Sequence, residues 1–205
     1  MMLQWLKTKW HTVLAHLVGI VPLLVVGVTY LAGTLANPTR YAMLRTGTLG
    51  LLFLVATLAC TPARKLFGWQ GAIQIRRALG LYSFLYVSLH LWVYAVQENA
   101  LDFTLIWRDL GERRAMPIGI LAYLLLIPLA ITSTRGWQRR LGKRWRTLHR
   151  LVYGAALLSV WHYLWLDRDF ITLPLLYGAI VGLLLLLRLP MLGALVKYFR
   201  MAASR

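Results

Sequence analysis

Three histidines, His90, His149 and His162, stand within or at the edge of long apolar runs, where an imidazole is costly unless something takes up its ring nitrogens. Two neutral imidazoles that face each other from separate helices at one depth can hold a haem iron through both axial positions, with apolar helix faces gripping the macrocycle. The spacing predicts that arrangement for His90 and His162. His90 lies thirteen residues beyond Arg77, and His162 thirteen beyond His149, so at 1.5 Å per residue each is about 20 Å from the basic end of its helix. The competing reading is a histidine satisfied by a neighbouring carbonyl or hydroxyl, for instance His90 by Tyr86 one turn below.

His149 needs a separate account. On an ideal helix thirteen residues leave it roughly 140° in azimuth from His162, so one straight helix would not point both inward. Either the winding departs from ideal, near Gly154, or His149 serves another partner. At its depth the first apolar run offers His16, and the third offers Arg76 and Arg77. Arginine is a poor iron ligand, so the two guanidinium groups are expected to pair with haem propionates. His16 with His149 is the candidate pair for a second, inner haem; the alternative for His16 and His11 is interfacial histidines at a helix start. Two haems about 20 Å apart along the membrane normal would form an electron conduit. The sequence has no acid pair within a span, no glycine-rich phosphate loop and no nucleophile beside a base, so chemistry on a substrate is expected of a partner.

The elements that must position these residues are membrane helices. The chain is 60% hydrophobic and only 14% charged over 205 residues, and runs long enough to cross about 30 Å of hydrocarbon recur along it. Six are expected: His11–Leu31, Leu44–Cys60, Ala78–Val96, Pro117–Ile131, Leu148–Leu166 and Ile171–Leu187, the second and fourth short. The fold class is therefore all-α, a polytopic six-helix transmembrane bundle with haem between helices, as one domain over residues 1–205. No internal repeat stands out.

Charge gives the orientation. Seventeen of the 23 Lys and Arg fall in the N-terminal tail, the second and fourth gaps and the C-terminal tail, whereas all six acids, Glu98, Asp102, Asp109, Glu112, Asp167 and Asp169, fall in the third and fifth gaps. The positive-inside rule makes the basic side, and both termini, cytoplasmic. A net charge of +17 spread over short loops beside spans suits anionic lipid, not nucleic acid. The single cysteine, Cys60, reads as a small apolar residue; Pro22 and Pro128 are expected to bend their helices; and Trp92, Tyr94, Trp161, Tyr163 and Trp165 form an outer aromatic belt.

The strings RRALGLYSFLYVSLHLWVY (Arg76 to Tyr94), TSTRGWQRRLGKRWRTLHRLVY (Thr132 to Tyr153) and WHYLW (Trp161 to Trp165) resemble the haem-binding membrane subunit of the bacterial periplasmic methionine sulfoxide reductase system, the MsrQ or YedZ family, over nearly the whole chain. They are more distantly similar to the ferric reductase and NADPH oxidase transmembrane domain, whose paired histidines on the third and fifth helices bind two b haems. The resemblance implies an inner-membrane electron carrier. It would pass electrons from the quinone pool or a cytoplasmic flavin reductase to the periplasmic molybdopterin-containing subunit, MsrP, which repairs oxidised methionine. The family is associated with haem b and FMN, and the carried-over haem ligands are His90, His149 and His162. Where the oxidase pattern has another His thirteen or fourteen residues before His90, this chain has Arg76 and Arg77.

Two other functions compete. A self-sufficient reductase of iron or oxygen would work at the outer face without a partner, although no nucleotide-binding domain is attached. A transporter or structural protein would need no cofactor, but the spans carry no carboxylate for proton coupling.

Overall fold

The computed structural model describes residues 2–166 and 171–188, which fold into helices with no strand among them. In order these are α1 (Met2–Leu31), α2 (Pro38–Phe67), α3 (Gly71–Trp92) continued by a π-helical segment (Val93–Glu98), α4 (Phe103–Glu112), α5 (Ala115–Ile131), α6 (Arg135–Leu141), α7 (Lys143–Leu148), α8 (Leu151–Leu166) and α9 (Thr172–Leu186). Asp167, Arg168, Asp169 and the cations beyond Arg188 lie outside the described residues.

Three helices, Trp10–Leu31, Pro38–Phe67 and Gly71–Glu98, are long and apolar enough to cross a membrane, and α4 with α5, bent by 106°, makes a fourth candidate. The second span is therefore not short. Asn37 accepts the Arg40 backbone N–H, Pro38 follows it at the start of the helix, and Gly68 closes the far end in the left-handed conformation at φ 70° with its N–H on the Arg64 carbonyl. These caps carry α2 a turn or more beyond its apolar run at both ends. Pro62 sits inside it and, having no N–H, leaves the Leu58 carbonyl without its helical partner.

Packing divides the protein into two close helix pairs, α2 with α3 and α5 with α8. A core of Leu51, Leu54, Leu58, Leu126, Ala155, Ala156 and Val181 joins them through α9. Helix α1 leans on α3 through polar contacts: His11 Nε2 meets Gln74 Oε1 at 2.5 Å, the buried Tyr86 hydroxyl donates to the Gly19 carbonyl at 2.7 Å, and Tyr30 donates to Gln97 at 3.1 Å. Tyr86 is thus spent on α1 and does not serve His90. The outward faces of α1 and α9 carry Leu17, Leu24, Val28, Leu176 and Leu183, all exposed, as lipid-facing surfaces would.

The third gap contains α4. The π segment ends in Ala100 and Leu101, both at positive φ (47° and 59°), a strained turn for residues with side chains. Asn99 braces it with a 3.0 Å bond to the Tyr94 carbonyl, and Tyr94 in turn donates to the buried carboxylate of Asp109 at 2.9 Å. Asp109 also pairs with Arg113 at 3.1 Å. Asp102 caps α4 by accepting from the Thr104 and Leu105 backbone N–H groups, first the Thr104 bond and then the Leu105 bond holding its pKa below the ordinary value.

A carboxylate with a depressed folded pKa contributes stability that is present above its unfolded value of about 3.9 and lost as pH falls through the folded one. Acidification below that range will therefore fray the start of α4. In detergent, Trp107 fluorescence on the exposed face of α4 will report the change in wild type, and Asp102→Asn, which caps without titrating, will flatten it. Identical acid titrations of the two proteins would refute the assignment.

Candidate functional site

His90 on α3 and His162 on α8 face each other across the gap between the two helix pairs, their ring centroids 6.3 Å apart and their planes at 82°. Each ring is held in the same way. His90 Nδ1 donates to the Met43 carbonyl at 2.9 Å, and His162 Nδ1 donates to the Ala115 carbonyl at 2.7 Å. Because each carbonyl accepts from Nδ1–H, both rings keep the proton there and leave the Nε2 lone pair free, the tautomer a metal ligand needs.

Access to those carbonyls depends on glycine. Gly47 is four residues after Met43 and Gly119 four after Ala115, so each lies on the same helix face as the carbonyl. A Cβ on Gly47 would come within 3.0 Å of His90 Nδ1, and one on Gly119 within 2.7 Å of His162 Nδ1. The histidine rings occupy the space that side chains would fill.

Carbonyl, glycine and histidine recur with one spacing: Met43, Gly47 and His90 shifted by 72 residues (162 − 90) become Ala115, Gly119 and His162. The α2–α3 and α5–α8 pairs therefore hold their histidines with the same local device. The signal for it was present in these offsets and was hidden because the residues between them share little. The same shift carries Arg77 onto His149.

The cavity between the rings is lined by Leu44, Gly50, Leu54, Leu91, Ile120 and Tyr123 among other apolar groups, with Arg113 and Tyr94 also among its residues. Among the described residues no third His, Cys, Asp or Glu joins the two imidazoles to make a metal site, so a metal here must bring its remaining ligands with it. An imidazole nitrogen lies roughly 1.1 Å from its ring centroid and a metal–nitrogen bond is about 2.0–2.1 Å, so imidazoles on opposite sides of one ion have centroids about 6.3 Å apart. The observed separation fits that arrangement, and the apolar walls fit a flat macrocycle.

His149 sits elsewhere. The helix breaks between α7 and α8, at His149 and Arg150, and not near Gly154. The break removes the azimuth constraint of a straight helix and puts His149 in a second cavity with Arg76, Arg77, Ser133, Gln138, Trp145 and Arg188. Its ring stacks on Trp145 at 4.0 Å. The Thr132 hydroxyl gives its one proton to the Pro128 carbonyl at 2.6 Å, so it accepts from His149 Nε2–H at 3.0 Å. The free lone pair of His149 is thus Nδ1, the reverse of the other two. Both cavities share Leu54 and Leu126 as a common wall.

The structure does not bring His16 to His149. His16 is exposed on α1, its Nδ1 3.0 Å from the Tyr82 hydroxyl, and it lines neither cavity. A histidine at the matching depth faced the wrong way, because depth along one helix says nothing of azimuth.

The model for the "Ferric reductase like transmembrane component" family matches residues 42–160, which take in most of both helix pairs and end two residues before His162. A protein-methionine-sulfoxide reductase heme-binding subunit MsrQ from Rhodospirillum rubrum is 46% identical over 83% of this chain and 83% of its own length. Its counterparts from Xanthomonas euvesicatoria and Bordetella pertussis are 45% and 41% identical, over 73% and 75% of this chain and 69% and 75% of theirs. The chain belongs to the MsrQ family.

Membership of this ferric reductase-like family of membrane proteins fits the apolar helices, and the matched segment contains Met43, Gly47, His90, Ala115, Gly119 and His149. Two functional candidates escaped the sequence reading, the ring-cradling glycines and Arg188. Arg188 was counted only as a tail cation, yet it reaches α2 and α8: its Nη2 donates to the Leu58 carbonyl at 2.6 Å and its Nη1 to the Tyr153 hydroxyl at 2.8 Å. The available signal was Pro62, which frees that carbonyl.

Proposed function

We propose that this protein is a transmembrane electron carrier of the inner membrane, holding haem b between His90 and His162 and passing electrons outward to a periplasmic molybdopterin methionine sulfoxide reductase, MsrP. The observation that carries the reading is the facing pair of imidazoles with both Nδ1 protons on backbone carbonyls and both Nε2 lone pairs free. Haem bound there supplies one-electron redox chemistry. The residues do the rest: the Met43 and Ala115 carbonyls raise the basicity of the imidazoles they accept from, which favours the oxidised state of the metal. The apolar walls exclude water, and the Arg113 guanidinium, its Nε paired with Asp109, also lines the outer cavity.

The inner cavity is the place for the second redox group, a second haem b or FMN, with His149 and Arg76 and Arg77 as its contacts. Electrons from quinol or a cytoplasmic flavin reductase would enter there. Phe84 of the inner cavity stacks on Tyr123 of the outer one at 5.6 Å and 1°, so a continuous aromatic contact crosses the wall between them. The basic gaps support cytoplasmic termini and contact with anionic lipid.

The test is a dithionite-reduced minus oxidised spectrum of the detergent-purified protein with pyridine haemochrome quantitation, followed by mixing the reduced protein with MsrP and a methionine sulfoxide substrate. A b-type spectrum that reoxidises only when both are added is expected. Material that stays colourless when expressed with ample haem, or a spectrum indifferent to MsrP, would overturn the reading.

A further inference from the structure

The inner cavity contains more positive charge than its own residues balance. Arg76 and Arg188 are half-buried and Arg77 exposed along its wall, and among the described residues no carboxylate lines it. The acids among the described residues, Glu98, Asp102, Asp109 and Glu112, all lie in the third gap, at the other end of the spans. Buried or half-buried cations crowded together without a counter-charge are costly in a low-dielectric setting.

Arg188 is the most constrained of the three. One terminal nitrogen is fixed by the carbonyl that Pro62 frees at Leu58, and the other by Tyr153, over whose ring the guanidinium sits at 5.1 Å. Its Nε is fully buried and has no hydrogen-bond partner among the described residues. A carbonyl, a phenol and an aromatic face satisfy donors and partly offset the charge, but none of them is a counter-ion. The hydrogen bonds thus pin a guanidinium in place with its charge, and one donor, still to be met. The stacked rings of Trp145 and His149 line the same cavity.

We propose that Arg188, acting with Arg76, is the anion anchor of the inner cavity, which takes a flat aromatic redox ligand bearing a carboxylate or phosphate, its ring system on the Trp145–His149 side. The inference rests on the reading of the inner cavity as the second redox site. Carboxylate and phosphate share this chemistry, one as the propionate of a second haem and the other as the phosphate of a flavin. A guanidinium suits either through its paired donors.

Arg188→Gln keeps a donor for the Leu58 carbonyl and removes the charge, Arg188→Lys keeps the charge, and Arg76→Gln removes the neighbouring charge without touching the bond to Leu58. Each variant is purified as the full chain, and its haem per protein, acid-released flavin and midpoint potentials are measured. The outer haem, held by His90 and His162, serves as an internal control for folding. Losing a charge-assisted contact should weaken the inner ligand about tenfold in both Gln variants, with Lys intermediate and the outer haem intact. A fall in haem stoichiometry identifies the carboxylate source, and a fall in flavin the phosphate source.

Unchanged inner-ligand content and potential in both Gln variants would show that Arg188 only ties helices together, and would overturn the anchor. Co-purifying phospholipid that is lost from the Gln variants while haem and flavin are unchanged would overturn it too. A wild-type protein with no outer haem would instead defeat the proposed function itself, so the two failures are distinguishable.

Discussion

His162→Ala and His90→Ala will each empty the outer cavity of haem while the protein still inserts and purifies. The rings are the two protein ligands the cavity offers, because no third His, Cys, Asp or Glu stands with them among the described residues. Losing one would leave a single histidine to hold the group and an apolar hole beside it. Affinity for the outer haem should fall more than tenfold, since second-sphere changes alone at metal sites cost about 10–100-fold in affinity. The two variants should be equally affected, because the two rings are held by equivalent bonds to Met43 and Ala115. Added free imidazole should restore part of the spectrum by entering the vacated space. Pyridine haemochrome measurement decides it: full haem content in either variant would remove that histidine from the ligand set.

Gly119→Ala will lower haem content more than Gly47→Ala, although both add one methyl group. At Gly119 the new Cβ would stand 2.7 Å from His162 Nδ1 and 2.8 Å from its Cε1, inside any tolerable contact; at Gly47 the corresponding distances from His90 are 3.0 and 3.1 Å. The His162 ring cannot simply swing aside, because moving it breaks the 2.7 Å bond to Ala115 that fixes its tautomer. Overpacking of this kind costs about 1–3 kcal/mol, and here the cost falls on the ring orientation. His90 needs to give only a few tenths of an ångström. The expected signature for Gly119→Ala is a stable protein with depleted haem and a shifted midpoint potential for what remains. Equal haem in the two variants, or greater loss at Gly47, would contradict the cradle geometry.

The depths of His90 and His162 were legible because rise per residue is constant along a helix, so thirteen positions from a basic end give the same level in both. The distribution of acids and bases was equally legible, since it depends on composition alone. The fourfold offset from Met43 to Gly47 and from Ala115 to Gly119 is also in the sequence, but nothing in a single string says that a histidine 47 residues from each carbonyl will fill the glycine's space. Such pairings are made between helices, and their partners are unspecified until the helices pack.

His149 and His16 illustrate the same limit from the other side. An ideal helix would hold His149 about 140° from His162, and the break at His149–Arg150 cancels that constraint; a two-residue departure resets every azimuth after it. His16 has a suitable depth and chemistry, yet α1 turns it toward Tyr82.

By itself, then, the sequence determined an all-helical, apolar protein with most of its cations assigned to one end and two imidazoles at one level, because periodicity, hydropathy and charge act locally. Only the tertiary structure decided that those imidazoles stand 6.3 Å apart with their Nε2 atoms free, that His149 belongs to a separate cavity, and that Arg188 joins it. Those outcomes depend on which helix faces meet, and that is set by packing across many distant residues at once.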